Sequence, residues 1–582
     1  MGTRTGGTSV IDTVCGRPTM KSLFVKGFVL IIALWFLIVG LMSVLPVNQS
    51  ANGHATNELS SPGEATEILE RIDAALQEIQ MLKKNNAEMK RIIESNNPSV
   101  ELNSLVGRDP HDDLVQAHPE DPSATYEDTR RQIELNLKEL WYNIRSKSEH
   151  LEEIDFEQVT DIYRVLRGNL QKLRIWDGFE SYRERETKEL AKIVQSRIRS
   201  LQNPKNCETA KKLVCSLNKG CGFGCQVHHV CYCLVVAYAT SRTLILESRG
   251  WRYNRAGWEK VFLPLSDTCT SNAGESRGDW NGMHSDIQVL QLPIVDFLKP
   301  RPPFLPVSIP SDISERLEKV HGEAHVWWVG QFMKYILRPQ PHLQTMLDEA
   351  KEKSGIVNPV VGLHIRRTDK IGTEASYHSL KEYMSHAEEY FAIKEKAGAV
   401  VKRRVFIASD DPSVISEAKR AYPEPEWEIL GDTGVAQSAA LSQRYNGLNG
   451  IVRDVVLLSE CDFLVCTFSS QVCRLAYELL QTKHVDSSER FVSLDDIYYY
   501  GGGIGLDQEA IISHKPKNGN ELELQAGDKI GVAGNHWNGM SKGTNHRTNK
   551  VGLYPSYKAR NVYTKINFPE KKWWTNSGEV RR

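Results

Sequence analysis

The sequence predicts an α/β protein built around a doubly wound parallel sheet, with a helical region ahead of it and a small β module behind. Three observations carry this expectation. Within residues 359–496 the apolar runs 360–365, 405–408, 427–430 and 463–467 alternate with helical stretches, and such alternation builds a parallel sheet covered on both faces. Upstream, helical periodicity dominates. Downstream of Gly501-Gly502-Gly503 come short β-like segments. At 582 residues the chain exceeds what one hydrophobic core serves. A formal net charge of -1 offers no broad basic field, which argues against nucleic acid as a partner.

Residues 27–47 carry no charge and include Phe28, Val29, Leu30, Ile31, Ile32, Leu34, Trp35 and Phe36. A run of that length spans a hydrocarbon core of ~30 Å as a helix. No convincing cleavage site follows, so the reading is an uncleaved signal-anchor. Arg4, Arg17, Lys21 and Lys26 precede it, which keeps residues 1–26 cytosolic and the rest lumenal, a single-pass type II arrangement. Asn48-Gln49-Ser50 is a glycosylation acceptor on that side. A stem, 48–125, contains a heptad pattern over 68–93: Ile68, Ile72, Ala75, Ile79, Leu82, Asn86, Met89 and Ile93. This predicts a coiled coil, with Asn86 as the polar seam residue that favours two strands, hence a homodimer. An amphipathic helix packed on its own domain is the alternative. Helices over 126–149 and 156–201 complete a helical stem region, 126–204, ending at Asn203-Pro204.

The next block, 205–358, holds Cys207, Cys215, Cys221, Cys225, Cys231, Cys233 and Cys269. With His228 and His229 these would suggest zinc in a reducing compartment; in a lumenal chain the expectation is disulfides, whose connectivity sequence alone does not assign. The Gly220-Cys221-Gly222-Phe223-Gly224-Cys225 turn opens a helix-like apolar run, and 243–247 reads as a buried strand, so this block is the first α/β lobe. Pro300-Arg301-Pro302-Pro303 reads as a stiff surface loop. Trp327, Trp328, Phe332 and Tyr335 have the spacing of a core helix.

The second lobe, 359–500, holds the strongest chemical signal. The strand at 360–365 runs directly into Arg366, Arg367, Asp369, Lys370 and Glu374. Ligands of open α/β sheets sit beyond the carboxyl ends of the strands, and two adjacent guanidinium forks suit a pyrophosphate. Two other strand ends converge there, Ser409-Asp410-Asp411 and Phe468-Ser469-Ser470, although each also suits a helix N-cap.

His364, Arg366, Arg367 and Asp369 together resemble the His-x-Arg-Arg-x-Asp motif of the fucosyltransferases that use GDP-fucose. With the continuation to Glu374, the chain looks like a member of the α-1,6 group acting on N-glycan cores. The resemblance implies a glycosyltransferase-B-like pair of lobes in a Golgi membrane protein. It implies inverting transfer of L-fucose from GDP-fucose, in α-1,6 linkage, to the innermost GlcNAc of N-glycans; Arg366 and Arg367 can neutralise the diphosphate, so no metal or other cofactor is expected. On matching positions it assigns Glu374 as base, with Lys370 beside it. It assigns His364 and Asp454 to guanine, with Asp369, Asp410 and Ser470 completing the donor set, and it places Lys219, Asp296 and His536 near the acceptor, with Ser470 at the border. The implied disulfides are Cys207 with Cys269, Cys215 with Cys233, Cys221 with Cys225, and Cys466 with Cys473, leaving Cys231 and Cys461 over. No convincing Asp-x-Asp motif stands at a strand end. A protein O- or α-1,2-type transferase and an inactive membrane-tethered scaffold are the alternatives.

The last segment, 501–568, has Leu524-Gln525-Ala526-Gly527-Asp528, Trp537, and Gly552-Leu553-Tyr554-Pro555-Ser556-Tyr557. It resembles an SH3 domain, expected as an SH3-like β-barrel, but lacks the aromatic opening motif that binds proline-rich peptides.

Overall fold

Ser123 starts the first described helix: its side chain accepts the Tyr126 N–H, satisfying one of the free amides of a helix start. The computed structural model describes residues 121–148, 155–282, 286–299, 302–305, 307–368, 372, 375–439, 447–500 and 506–568. All of them fall in the second of two units, Met1–Val115 and Gln116–Arg582. The predicted span 27–47 and coiled coil 68–93 lie outside the described residues.

Three helices open the structure: α1 (Ala124–Arg145), α2 (Phe156–Trp176, capped by Asp155) and α3 (Glu180–Gln202). The sequence predicts one helix over 156–201; the chain instead breaks at Asp177-Gly178, where Gly178 takes a φ of 76°. Arg183 explains the break. Buried beside the corner, it pairs with Asp177 at 2.6 Å and with Glu127 of α1 at 2.5 Å, contacts that an apolar period does not register.

The first lobe contains β1 (Lys212–Ser216), α4 (Phe223–Ala239), β2 (Thr243–Glu247), β3 (Arg277–Asp279) and β4 (Val289–Leu292). They form a parallel sheet of order β2-β1-β4-β3. A short strand, β5 (Ser308–Pro310), then leads to α5 (Ser311–Val320), α6 (Ala324–Ile336) and α7 (Pro341–Ser354). Trp327, Trp328 and Phe332 on α6 are fully buried, as their spacing predicts. Phe304 and Leu305 of the proline-rich run are also buried, so that run is pinned to the core by its apolar end.

The second lobe is the predicted parallel α/β sheet. Its elements are β6 (Val361–Ile365), α8 (Leu380–Lys396), β7 (Arg403–Ser409), α9 (Pro412–Ala421), β8 (Trp427–Leu430), α10 (Thr433–Ala439), α11 (Leu448–Glu460), β9 (Phe463–Cys466), α12 (Gln471–Leu480) and β10 (Phe491–Ser493). The order is β10-β9-β6-β7-β8, all parallel. Strand alternation distributes the core: Val361, Leu363 and Ile365 face α8 and α9, while Phe406, Ala408 and Leu464 face α11 and α12. Gly362 lets α11 approach, since a Cβ there would meet Leu458 and Cys461 at 3.1 and 3.0 Å. The chain starts at β6 and extends the sheet first one way and then the other, so β6 borders the switch point.

The last module is a five-stranded antiparallel sheet of β11 (Asp507–Ala510), β12 (Lys529–Asn535), β13 (Met540–Asn545), β14 (Lys550–Pro555) and β15 (Ala559–Val562), ordered β14-β13-β12-β11-β15. A final strand, β16 (Thr564–Ile566), pairs with β5 and ties the module to the first lobe.

Among the described residues, four disulfides join Cys207 to Cys269, Cys215 to Cys233, Cys221 to Cys225, and Cys466 to Cys473. Cys231 and Cys461 are free and buried. Among the described residues, Cys215, His229 and Cys233 are close enough to hold a metal ion, but both sulfurs are spent in one disulfide. That removes the thiolates zinc requires.

One expectation is corrected. Among the described residues no helix is long and apolar enough to cross a membrane, so the single-pass type II placement in a Golgi membrane is not supported. Even the apolar-rich α4 is only 17 residues long, carries Gln226, His228 and His229, and is buried in protein.

Candidate functional site at the carboxyl edge of the second sheet

The loop after β6 is held by its neighbour. Asp410, directly after β7, accepts hydrogen bonds from the backbone N–H of Arg367 at 2.8 Å and of Thr368 at 3.2 Å. It also accepts from the Thr368 hydroxyl and pairs with Arg366 Nη1 at 3.2 Å. Asp411, not Asp410, caps α9, through the Ser413 N–H. One aspartate thus starts the helix and frees the other to hold the arginine loop.

Arg367 lies with its guanidinium 4.2 Å from the centre of the Tyr377 ring, an orientation that cation–π attraction favours. Among the described residues, its Nη1 and Nη2 are buried without a hydrogen-bond partner. Leaving charged donors buried and unpaired costs several kilocalories unless an anion arrives. That is the chemistry of an oxyanion site.

His364 precedes the arginines on β6 and is buried. Burial, with the nearby Arg366 charge, holds its pKa down at about 4, so the ring is neutral, and among the described residues its Nδ1 has no hydrogen-bond partner. Asp454 lies on α11, which packs across β6 and β7. Burial raises its pKa to about 7 against the pull of Arg453, whose Nη2 is 3.4 Å away.

Ser470 holds the N-cap position of α12 but makes no side-chain cap. The start of α12 meets the first lobe: a Cβ on Gly224 would strike the Gln471 backbone at 2.9 Å. Behind this seam Glu478 accepts from Tyr498 at 2.6 Å and contacts His228 Nε2 at 3.0 Å. In the glycine-dense turn, Phe223 N–H donates to Tyr253 at 2.8 Å, so that amide is engaged within the fold.

Lys219 and Asp296 extend from the ends of the adjacent strands β1 and β4 and pair at 2.6 Å. His536 follows β12 and is exposed, its N–H donating to Met540 at 2.9 Å. Asp369, Lys370 and Glu374 lie outside the described residues. Among the described residues the structure therefore joins Arg366, Arg367 and Asp410 in one cluster and Lys219 and Asp296 in another.

Two residues escape sequence reasoning. Asp495, just after β10, accepts from the Phe468 N–H at 2.7 Å and the Ser469 N–H at 3.3 Å, holding the loop after β9 as Asp410 holds the loop after β6. Its own carbonyl accepts from Trp537 Nε1 at 2.8 Å, which links the antiparallel module to this edge. Tyr383 on α8 is buried beneath, hydrogen-bonded to Thr467 and within the field of Arg367 and Asp495; burial raises its pKa. The signal for Asp495 is a charged pair after a three-residue strand.

A family model described as "Alpha-(1,6)-fucosyltransferase N- and catalytic domains" matches residues 17–499. The Alpha-(1,6)-fucosyltransferase of Drosophila melanogaster is 49% identical over 468 residues, covering 77% of this chain and 75% of that one. The Alpha-(1,6)-fucosyltransferase of Caenorhabditis elegans is 39% identical over 541 residues, covering 91% and 96%. Among solved structures, POFUT1 in complex with GDP-fucose aligns at 15% identity over 50% of this chain and 99% of that one, with a TM-score of 0.31, a likeness too small to carry an argument. By the family match and the two relatives, the chain belongs to the alpha-(1,6)-fucosyltransferase family.

Proposed function

We propose that this protein transfers L-fucose from GDP-fucose, in α-1,6 linkage, to the innermost Asn-linked GlcNAc of N-glycans. Family membership supports the reaction, and the buried, unpaired Nη atoms of Arg367 are the observation that carries the site. As the glycosidic bond to the diphosphate breaks, negative charge builds on the leaving oxygens. Arg366 and Arg367, fixed through Asp410, meet that charge with no reorganisation. Because two guanidiniums supply the positive charge, the reaction needs no divalent cation. His364, neutral, and Asp454 hold the guanine.

Glu374 removes the proton from the attacking hydroxyl, with Lys370 beside it, and attack opposite the diphosphate inverts the anomeric centre. Asp369 belongs to the donor side with Ser470. Lys219, Asp296 and His536 hold the acceptor glycan, the last presented by the antiparallel module read as an SH3-like lobe. The working unit is a homodimer. Ile162, Leu166, Leu173 and Trp176 form one apolar face of α2, and each is between 45% and 74% exposed, a face that calls for a second copy.

The test is incubation of the full chain with GDP-fucose and a biantennary glycan ending in GlcNAc, with and without excess EDTA. Core-fucosylated, inverted product at equal rates in both is the expected result. Fucose on a protein hydroxyl or on galactose would overturn the acceptor assignment, and loss restored by manganese would overturn metal independence.

A further inference from the structure

Between the α1–α2 hairpin and the β9–β10 edge of the second lobe lies a cavity of about 340 Å³, lined by none of the strand-end residues described above. That volume is at the lower end for small-molecule sites. Its walls are aromatic: Trp141 stacks on Tyr163 at 4.8 Å between ring centres, and Tyr390 stacks on Phe463 at 5.1 Å.

The charges inside it are unequally engaged. Its carboxylates have partners: Glu134 pairs with Arg130 at 3.0 Å, Glu389 with Arg164 at 2.8 Å through one oxygen, Glu489 with Lys138 at 3.2 Å and Glu180 with Arg174 at 3.7 Å, and Asp486 accepts the Ser488 N–H at 3.1 Å; Glu389 Oε1 has no hydrogen bond among the described residues. Asp462 accepts the Val360 N–H at 2.9 Å. Arg167 and Lys394 differ. Among the described residues neither has a carboxylate partner: Arg167 donates to the Glu134 backbone carbonyl at 3.1 Å, and Lys394 sits 5.1 Å from the Tyr390 ring centre. Burial lowers the Lys394 pKa, and Asp462 offsets that only in part. Two half-buried cations with donors to spare, set among aromatic faces, favour an anion attached to a ring.

We infer that this cavity binds a small ring compound bearing a phosphate monoester, with Arg167 and Lys394 holding the phosphate and the Tyr163 and Tyr390 rings flanking the body of the ligand. The site is separate from the donor site, and α8, which carries Tyr390 and Lys394 to the cavity, also carries Tyr383 to the strand ends.

Calorimetry of the full chain with glucose 6-phosphate, at saturating GDP so that the donor site is filled, tests this. Expected is binding that persists with GDP present, is at least tenfold weaker in Arg167→Gln and in Lys394→Gln, and is absent for glucose. GDP affinity should be unchanged in both variants. If Arg167→Gln melts early, Lys394→Gln, nearer the surface, decides alone. No binding, binding abolished by GDP, or equal binding by Lys394→Gln would each overturn the inference.

Discussion

The Asp410 carboxylate accepts the Arg367 backbone N–H at 2.8 Å while pairing with the Arg366 side chain at 3.2 Å, so one buried group directly after β7 positions both arginines that follow β6. Asparagine in its place keeps one acceptor oxygen but loses the charge facing Arg366. Asp410→Asn should lower turnover by about 10²-fold through misplaced donors and should cost about 1–3 kcal/mol of stability. Kinetics and thermal melting on one preparation check this; normal turnover would remove Asp410 from its positioning role.

The strand carrying the arginines is legible in the sequence because Val360 to Ile365 form an apolar run that ends abruptly in charge. The edge strand β10, which pairs with β9, is not legible: Phe491–Ser493 is too short for a period to show, so Asp495 goes unseen with it. Nor does sequence show that Asp410 turns toward the arginines while Asp411 takes the helix cap, since both side chains suit both tasks. The break at Gly178 is hidden for a similar reason, because a buried ion pair between distant segments causes it.

Asp454 sets a pH dependence. Its folded pKa of about 7 lies above the ordinary carboxylate range because of burial, so the folded apo protein retains a proton that the unfolded chain releases. The group's contribution to stability is therefore present at low pH and lost as pH rises from about 4 to 7. Donor binding runs oppositely, because only the ionised carboxylate accepts both guanine N–H groups. The KM for GDP-fucose should fall several-fold from pH 6 to pH 8, and Asp454→Asn should flatten that profile. A wild-type profile without this limb would exclude Asp454 from guanine binding.

His536 tests the third module. It is exposed at the end of β12, next to Trp537, whose indole reaches the Asp495 carbonyl. Replacement by alanine should raise the acceptor KM several-fold and leave GDP affinity unchanged, as measured by initial rates and calorimetry. Unaltered glycan kinetics would reduce the module to a structural support.

The apolar face of α2 tests the dimer. Leu166→Glu with Leu173→Glu places charge where a second copy would pack, at positions 45% and 59% exposed, so the fold should be retained. Light scattering should report the monomer mass. A persisting dimer with a normal melt would place the interface elsewhere.

The central claim is that the strand-end arginines grip the diphosphate, and GDP binding to Arg367→Lys, beside Arg366→Lys, tests it most directly. Lysine keeps the charge but lacks the fork, and at Arg367 it also removes two buried donors that have no partner among the described residues. The account predicts GDP affinity at least tenfold weaker and turnover lower by roughly 10²–10³, equivalent to ~3–4 kcal/mol of transition-state stabilisation, with melting of the free protein unchanged or slightly raised. Undiminished GDP affinity in both variants, with a normal melt, would contradict it.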